Sequence, residues 1–261
     1  MTNSPLHIER FGAVLQVTLD RPKANAIDLE TSRRMGDVFA RFRDDPELRV
    51  AILTGSGDRF FCAGWDLKAA AAGDAVDGDY GVGGFGGLQQ LPDLNKPVIA
   101  AVNGICCGGG LELALSADII LASENATFAL PEIRSGTVAD AASLKLPKRI
   151  PYHVAMEMLL TGRWLDVAEA RQWGFVNHVY PPEQLLGAAQ ELGETLAKGP
   201  PLVHAAIKEI VREAETLAFH EGMEKITSSG FETVRKLYTS QDQKEGARAF
   251  AEKRDPVWRG K

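Results

Sequence analysis

The stretch Lys96-Pro97-Val98-Ile99-Ala100-Ala101-Val102-Asn103-Gly104-Ile105-Cys106-Cys107-Gly108-Gly109-Gly110-Leu111-Glu112 decides the fold class. Val98 to Val102 is a short apolar run with no polar alternation, which predicts a strand buried in a sheet. The glycines that follow predict a tight turn, and a helix is expected to start near Gly109. A buried strand passing through glycines into a helix is the unit of a layered α/β core. The N–H groups at such a helix start have no carbonyl partner, so they can hold negative charge as it develops.

The alternation continues outward from this stretch. Ala13 to Leu19 predicts a strand with Leu15, Val17 and Leu19 on one face. Asp28 is placed to cap a helix running to about Arg43, with Met35, Val38, Phe39 and Phe42 on its apolar side. Val50 to Thr54 predicts a buried strand ending in Gly55-Ser56-Gly57, and Ile119 to Ala122 another. Beyond these the chain turns mostly helical. Leu185, Ala189, Leu192 and Leu196 form one apolar stripe, and Val203, Ala206, Ile207, Ile210 and Val211 a second; both are expected in the core. Gln241 to Arg254 predicts a last helix, with an oligomer contact as a further role for the tail. The change of character at Gly199-Pro200-Pro201 marks a boundary.

The composition excludes several classes. Of 261 residues, 45% are hydrophobic and 25% charged, which is ordinary for a globular chain and foreign to a disordered or collagen-like one. The net charge of −6 argues against a phosphate-backbone binder. No apolar run approaches the ~18 residues of a membrane span. Met1 to Arg10 lacks the basic-then-apolar pattern of a signal peptide. The three cysteines, Cys62, Cys106 and Cys107, are odd in number and two are adjacent, so a reducing cytoplasm is expected rather than a disulfide framework. The histidines show no metal-ligand spacing.

Gly73 to Gly87 stands apart, with seven glycines, three aspartates and no basic residue. It is expected to be a mobile loop that packs no core. Gly81 to Gly86 matches the G-x-G-x-x-G pattern, but no strand precedes it and its setting is acidic, so a dinucleotide site is rejected. The triplet Gly108-Gly109-Gly110 lacks the lysine of a phosphate loop.

Three stretches can carry chemistry: Phe60 to Leu67, the opening stretch, and Phe128-Ala129-Leu130-Pro131-Glu132-Ile133. Each has a plainer reading. Three glycines allow close backbone packing, Glu112 near a helix start complements its dipole, and Glu132 after a proline is a surface acid.

In order, spacing and wording, the three stretches resemble the crotonase (enoyl-CoA hydratase/isomerase) superfamily. The resemblance begins at Asp20-Arg21-Pro22-Lys23-Ala24-Asn25-Ala26-Ile27, continues through Leu160-Thr161-Gly162 and reaches Phe250-Ala251-Glu252-Lys253-Arg254, nearly the whole chain. It implies a spiral of ββα units, expected over residues 1–199, with a helical C-terminal trimerisation region over 200–261. It also implies a homotrimer or dimer of trimers acting on enolates of acyl-CoA thioesters. By the same resemblance the backbone N–H groups of Trp65 and Gly109 form the oxyanion hole. Glu112 and Glu132 form a hydratase acid pair, Glu112 activating water and Glu132 exchanging the C2 proton. CoA is expected along Lys23, Ala24, Ala63, Asp66, Leu67 and Lys68, with Phe250 and Lys253 closing over it, from a neighbouring subunit as one option. The chemistry requires no metal or redox cofactor, because CoA is part of the substrate.

Further stretches, Phe42 to Pro46, Gly64 to Ala70, Gly83-Gly84-Phe85 and Ala249 to Gly260, are similar to the branch that interconverts crotonobetainyl-CoA and carnitinyl-CoA. The chain departs between Gly136 and Leu146, where many hydratases have a proline and a glycine-rich turn. Here it reads Thr137-Val138-Ala139-Asp140-Ala141-Ala142-Ser143-Leu144. That changes the wall expected to face the acyl tail. A quaternary ammonium has no N–H to donate and needs aromatic faces or a nearby negative charge. Asp140, Phe85 and Tyr80 are the candidates, with Trp65 nearby; Asp140 could instead cap a helix starting at Ala141. The rival readings are a general short-chain hydratase, a double-bond isomerase, and, in a different class, an RNA-binding relative that has kept the fold. The acidic balance and the acid pair speak against the last.

Overall fold

The structure, a computed structural model, describes residues 4–75 and 77–261. The chain opens with β1 (Leu6–Phe11) and β2 (Val14–Leu19), which pair antiparallel. Asp28 accepts the Thr31 N–H at 2.8 Å and starts α1 (Leu29–Asp44), whose Met35, Phe39 and Phe42 are fully buried.

One pattern then repeats three times. The first turn is β3 (Val50–Gly55), β4 (Phe60–Cys62) and α2 (Leu67–Ala71). The second is β5 (Val98–Val102), β6 (Ile105–Cys107) and α3 (Gly109–Ala114). The third is β7 (Ile119–Ser123), β8 (Thr127–Ala129) and α4 (Glu132–Ser135). There follow α5 (Asp140–Lys145), α6 (Tyr152–Thr161), β9 (Trp164–Asp166), α7 (Val167–Gln172), β10 (His178–Tyr180) and α8 (Pro182–Lys198).

The first strand of each turn joins a six-stranded sheet ordered β1-β2-β3-β5-β7-β10, and the second joins a four-stranded sheet ordered β4-β6-β8-β9. Both sheets are parallel through the three turns. This is the ββα spiral. The large-sheet strands are apolar throughout because both faces are covered. Ala51 and Leu53 face the main core, while Val50 and Ile52 face Leu185 and Ala189 of α8. In the small sheet Ile105 lies beside Phe60 on one side and Thr127 on the other. The strand ends therefore line up, and the helix starts after them meet along one edge. Trp65, Gly109 and Glu132 occupy equivalent places in successive turns.

The chain ends in α9 (Pro201–Ala214), α10 (Phe219–Thr227), α11 (Glu232–Tyr238) and α12 (Gln241–Glu252). Ala206, Phe231 and Val234 form a small core there. The second apolar stripe corrects its expectation. Ala206 is buried, but Ile207 is 53% and Val211 62% exposed. Helix α9 turns its Ala206 and Ile210 side to the small C-terminal core, and among the described residues no element covers Ile207 and Val211. Among the described residues no helix is long and apolar enough to cross a membrane.

Candidate active site

Gly64 has a φ of +89°, and a Cβ on it would lie 2.7 Å from the Gly109 nitrogen. The absent side chain is what lets the first and second turns of the spiral touch here. Ile27 donates to the Gly64 carbonyl at 2.8 Å, and its own carbonyl accepts from Asp66 at 2.9 Å. Successive peptide groups of an extended chain point opposite ways, so the Trp65 N–H between them turns away from Ile27. Gly109 is the first residue of α3, one turn short of a carbonyl partner. Among the described residues neither N–H donates to a backbone oxygen. Two such donors on adjoining segments are what an enolate oxygen needs.

The two acids have unequal surroundings. Glu112, on α3, is 7% exposed. Its Oε1 accepts the Ala142 N–H at 2.9 Å and its Oε2 accepts the Gln89 amide at 3.3 Å. Burial raises its pKa, and these two donors oppose the rise. Glu132 begins α4, with Oε1 lying 3.0 Å from where a Cβ on Gly108 would be. Its Oε2 is buried with no partner. Burial pushes its pKa up to about 7, and the charges of Glu112 and Asp140 push the same way. Among the described residues the other unpartnered buried side-chain atom is Trp65 Nε1. The Cys107 thiol is pushed up to about 11 by burial and by Glu132.

A cavity of about 450 Å³ is lined by Tyr80, Phe85, Gln89 and Asp140, with the exposed Asp77 and Asp79 also on its wall. The structure thus brings together the three residues expected at the acyl tail. The rings of Tyr80 and Phe85 meet edge to face with centroids 5.5 Å apart. Phe85 Cε1 lies 2.5 Å from where a Cβ on Gly109 would be, so the aromatic wall abuts the start of α3. Burial raises the Tyr80 pKa, and Asp74, Asp140 and Asp77 raise it further. Lys145 borders the cavity too, but its ammonium is on Ser116 Oγ at 2.7 Å. Helix α5 begins at Asp140 itself, with Ala139 as its N-cap and no side-chain cap bond. Capping from Asp140 is therefore corrected: its carboxylate lies in the first turn.

The mobile-loop expectation for Gly73 to Gly87 is also corrected, Val76 lying outside the described residues. Ser32 Oγ donates to the carbonyls of Tyr80 and Gly84 and accepts from Gly86, all within 3.2 Å. A Cβ on Gly87 would fall 2.3 Å from the Gly36 nitrogen of α1. A glycine-rich segment can pack by its backbone, which is what this one does.

Along the expected CoA edge, Ala63 donates to the Ala24 carbonyl at 3.1 Å. Lys23, Leu67 and Lys68 are exposed beside it. The Asp66 carboxylate accepts from the N–H groups of Lys68 and Ala69 as the cap of α2 and meets Arg21 at 3.2 Å. Phe250 is 88% exposed on α12, and Lys253 is exposed at its end; within one protomer neither packs over this edge. Sequence reasoning missed Gln89, Ala142 and Arg21. Arg21 sits in the quoted Asp20-Arg21-Pro22 stretch and was legible there, since a cation beside capping acids has an obvious partner. Nothing local marks Gln89 or Ala142.

The ββα spiral is the fold of the enoyl-CoA hydratase/isomerase family, whose sequence profile matches residues 9–261. The chain belongs to that family. It is 54% identical over 257 residues to carnitinyl-CoA dehydratase of Proteus mirabilis, covering 98% of each chain. Carnitinyl-CoA dehydratase of Citrobacter koseri is likewise 54% identical, with 98% of each chain covered. Among solved structures, an enoyl-CoA hydratase from Mycobacterium marinum superposes with a TM-score of 0.89 at 40% identity, over 98% of this chain and 99% of that one.

Proposed function

We propose that the chain reversibly hydrates crotonobetainyl-CoA to carnitinyl-CoA. The observation that carries this reading is the acidic, aromatic cavity that reaches Glu112 through Gln89 and Gly109 through Phe85. An ordinary fatty-acyl tail gives nothing back for the desolvation of Asp140, whereas a trimethylammonium group does. The name shared by the two curated relatives supports the same substrate.

The chemistry follows from the thioester. Its oxygen takes the N–H groups of Trp65 and Gly109, each such donor being worth roughly 2.7–4 kcal/mol of barrier. Glu112, whose two oxygens both accept N–H groups, removes a proton from water as that water adds at C3. Glu132, with its pKa near 7, delivers a proton to C2. Elimination runs the same steps backward. CoA enters with the substrate along Ala24 and Ala63 to Lys68, with Lys23 and Lys68 meeting its phosphates. Phe250 and Lys253 reach that edge from a neighbouring subunit of a trimer or dimer of trimers; the exposure of Phe250 supports this. The three buried free thiols support a cytoplasmic enzyme.

The test is turnover of crotonobetainyl-CoA beside crotonyl-CoA. Efficient hydration of the first is expected. Turnover of crotonyl-CoA alone would leave a general short-chain hydratase. For the CoA edge, Lys23→Ala, Lys68→Ala and Lys253→Ala should each weaken CoA binding, and unchanged binding in all three would sink it.

A further inference from the structure

We propose that Gln89 is a positioning residue for Glu112, its side-chain amide holding the carboxylate oxygen that Ala142 does not reach. The inference rests on the assignment of Glu112 as the group that activates water. One oxygen of Glu112 accepts the backbone N–H of Ala142 at 2.9 Å, and the Ala141 N–H acts on the same carboxylate. The other oxygen is held by a side chain, Gln89 Nε2 at 3.3 Å. The length of this bond is ordinary for a site without substrate, where such bonds tighten on binding. Only the NH2 end of the amide can face a carboxylate favourably, so the charged form of Glu112 sets the orientation of Gln89.

The backbone under Gln89 is itself held. Gln90 donates to the Gly83 carbonyl at 2.8 Å, Leu88 is buried, and Gly86 is tied to Ser32 of α1. The same segment carries Tyr80 and Phe85. One piece of chain therefore shapes the tail cavity and aims the base, and Gln89 lines that cavity as well as touching Glu112.

Glu132, Asp140 and Lys145 are the charged groups that act on Glu112, and the ammonium of Lys145 is bonded to Ser116 Oγ at 2.7 Å. Ser116 Oγ in turn donates to the Glu112 carbonyl at 2.8 Å. Gln89→Met leaves these groups in the chain and removes only the donor, whereas Gln89→Glu also adds a negative charge beside Glu112.

The experiment compares Gln89→Met and Gln89→Glu with the parent. Methionine keeps length and bulk without a donor, and glutamate keeps the shape while replacing the donor by an acceptor. Both should lower kcat roughly 10- to 100-fold with KM little changed, the loss expected when a reacting group is misaimed. The acid limb of the kcat/KM profile should move to higher pH in Gln89→Met and further in Gln89→Glu. Independently of turnover, the Glu112 carboxyl can be followed by infrared difference titration, assigned as the band lost in Glu112→Gln. Its midpoint should rise in the same order. Midpoints equal to the parent in both variants, or kcat within two-fold of it, would overturn the proposal. If the parent turns over neither acyl-CoA, the functional reading fails while the titration still decides the role of Gln89.

Discussion

The proposed site has two walls, and they are built differently. The reaction wall comes from three equivalent points of the spiral, Trp65, Gly109 and Glu132, each just after a strand of the small sheet. The tail wall comes from irregular chain, Tyr80 to Gln90 and the start of α5, tied to α1 through Ser32 and Gly36. Strand register fixes the first, whereas hydrogen bonds and close backbone contacts with α1 fix the second. Such a division lets the tail wall change while the chemistry stays in place.

The largest test of the division strikes the reaction wall. Glu112→Gln and Glu132→Gln should each lower turnover by roughly 10²- to 10⁴-fold, alike on crotonobetainyl-CoA and crotonyl-CoA, in steady-state assays. A loss confined to one substrate would break the separation. Gly109→Ala strikes where the walls touch, because its methyl would meet the Phe85 ring. It should cost about 10²-fold in kcat, with the KM for crotonobetainyl-CoA also raised. Asp140→Asn touches the tail wall alone. Asp140 is exposed, so solvent screens it, and the expected change is about five-fold in KM for crotonobetainyl-CoA with crotonyl-CoA unaffected. Equal losses on the two substrates would remove the cation pocket.

The smallest effect concerns stability. The folded pKa of Glu132, about 7, lies above its ordinary value of 4.5. The folded state therefore holds the proton more tightly, and this contribution is complete below pH 4.5 and lost as pH rises through 7. Glu132→Gln removes that loss. Denaturation at pH 8 should show the variant more stable than the parent by about 1–2 kcal/mol, a figure reduced for the partial exposure of the residue, with the gain vanishing near pH 4.

The reaction wall was legible in the sequence because its parts are local. A buried run, a glycine turn and an acid at a helix start can each be seen within ten residues, and Val98–Val102 and the Asp28 cap fell where expected. The small sheet was not legible, since strands of three residues such as Phe60–Cys62 and Thr127–Ala129 show no period. The tail wall was half legible. Tyr80, Phe85 and Asp140 were named for their chemistry, but the glycines around them suggested slack where backbone packing holds the segment to α1. Gln89 and Ala142 have no local signature, because what gives them meaning is a carboxylate far away in sequence. The stripe on α9 showed that one face is apolar, and spacing alone does not say whether the same chain covers it.

Helix α1 has a consequence of its own. At its start Arg21 joins the Asp28 cap at 2.6 Å to the Asp66 cap at 3.2 Å, on the edge proposed for CoA. Two turns along, Ser32 and Gly36 grip the segment that bears Phe85. At 1.5 Å per residue, Asp28 and Gly36 stand roughly 12 Å apart along a rod that does not stretch. The helix is thus a gauge block between the Arg21–Asp66 edge and the segment that bears Phe85. Trimming side chains in the cavity would widen it but leave that spacing unchanged, because the pitch of α1 sets it.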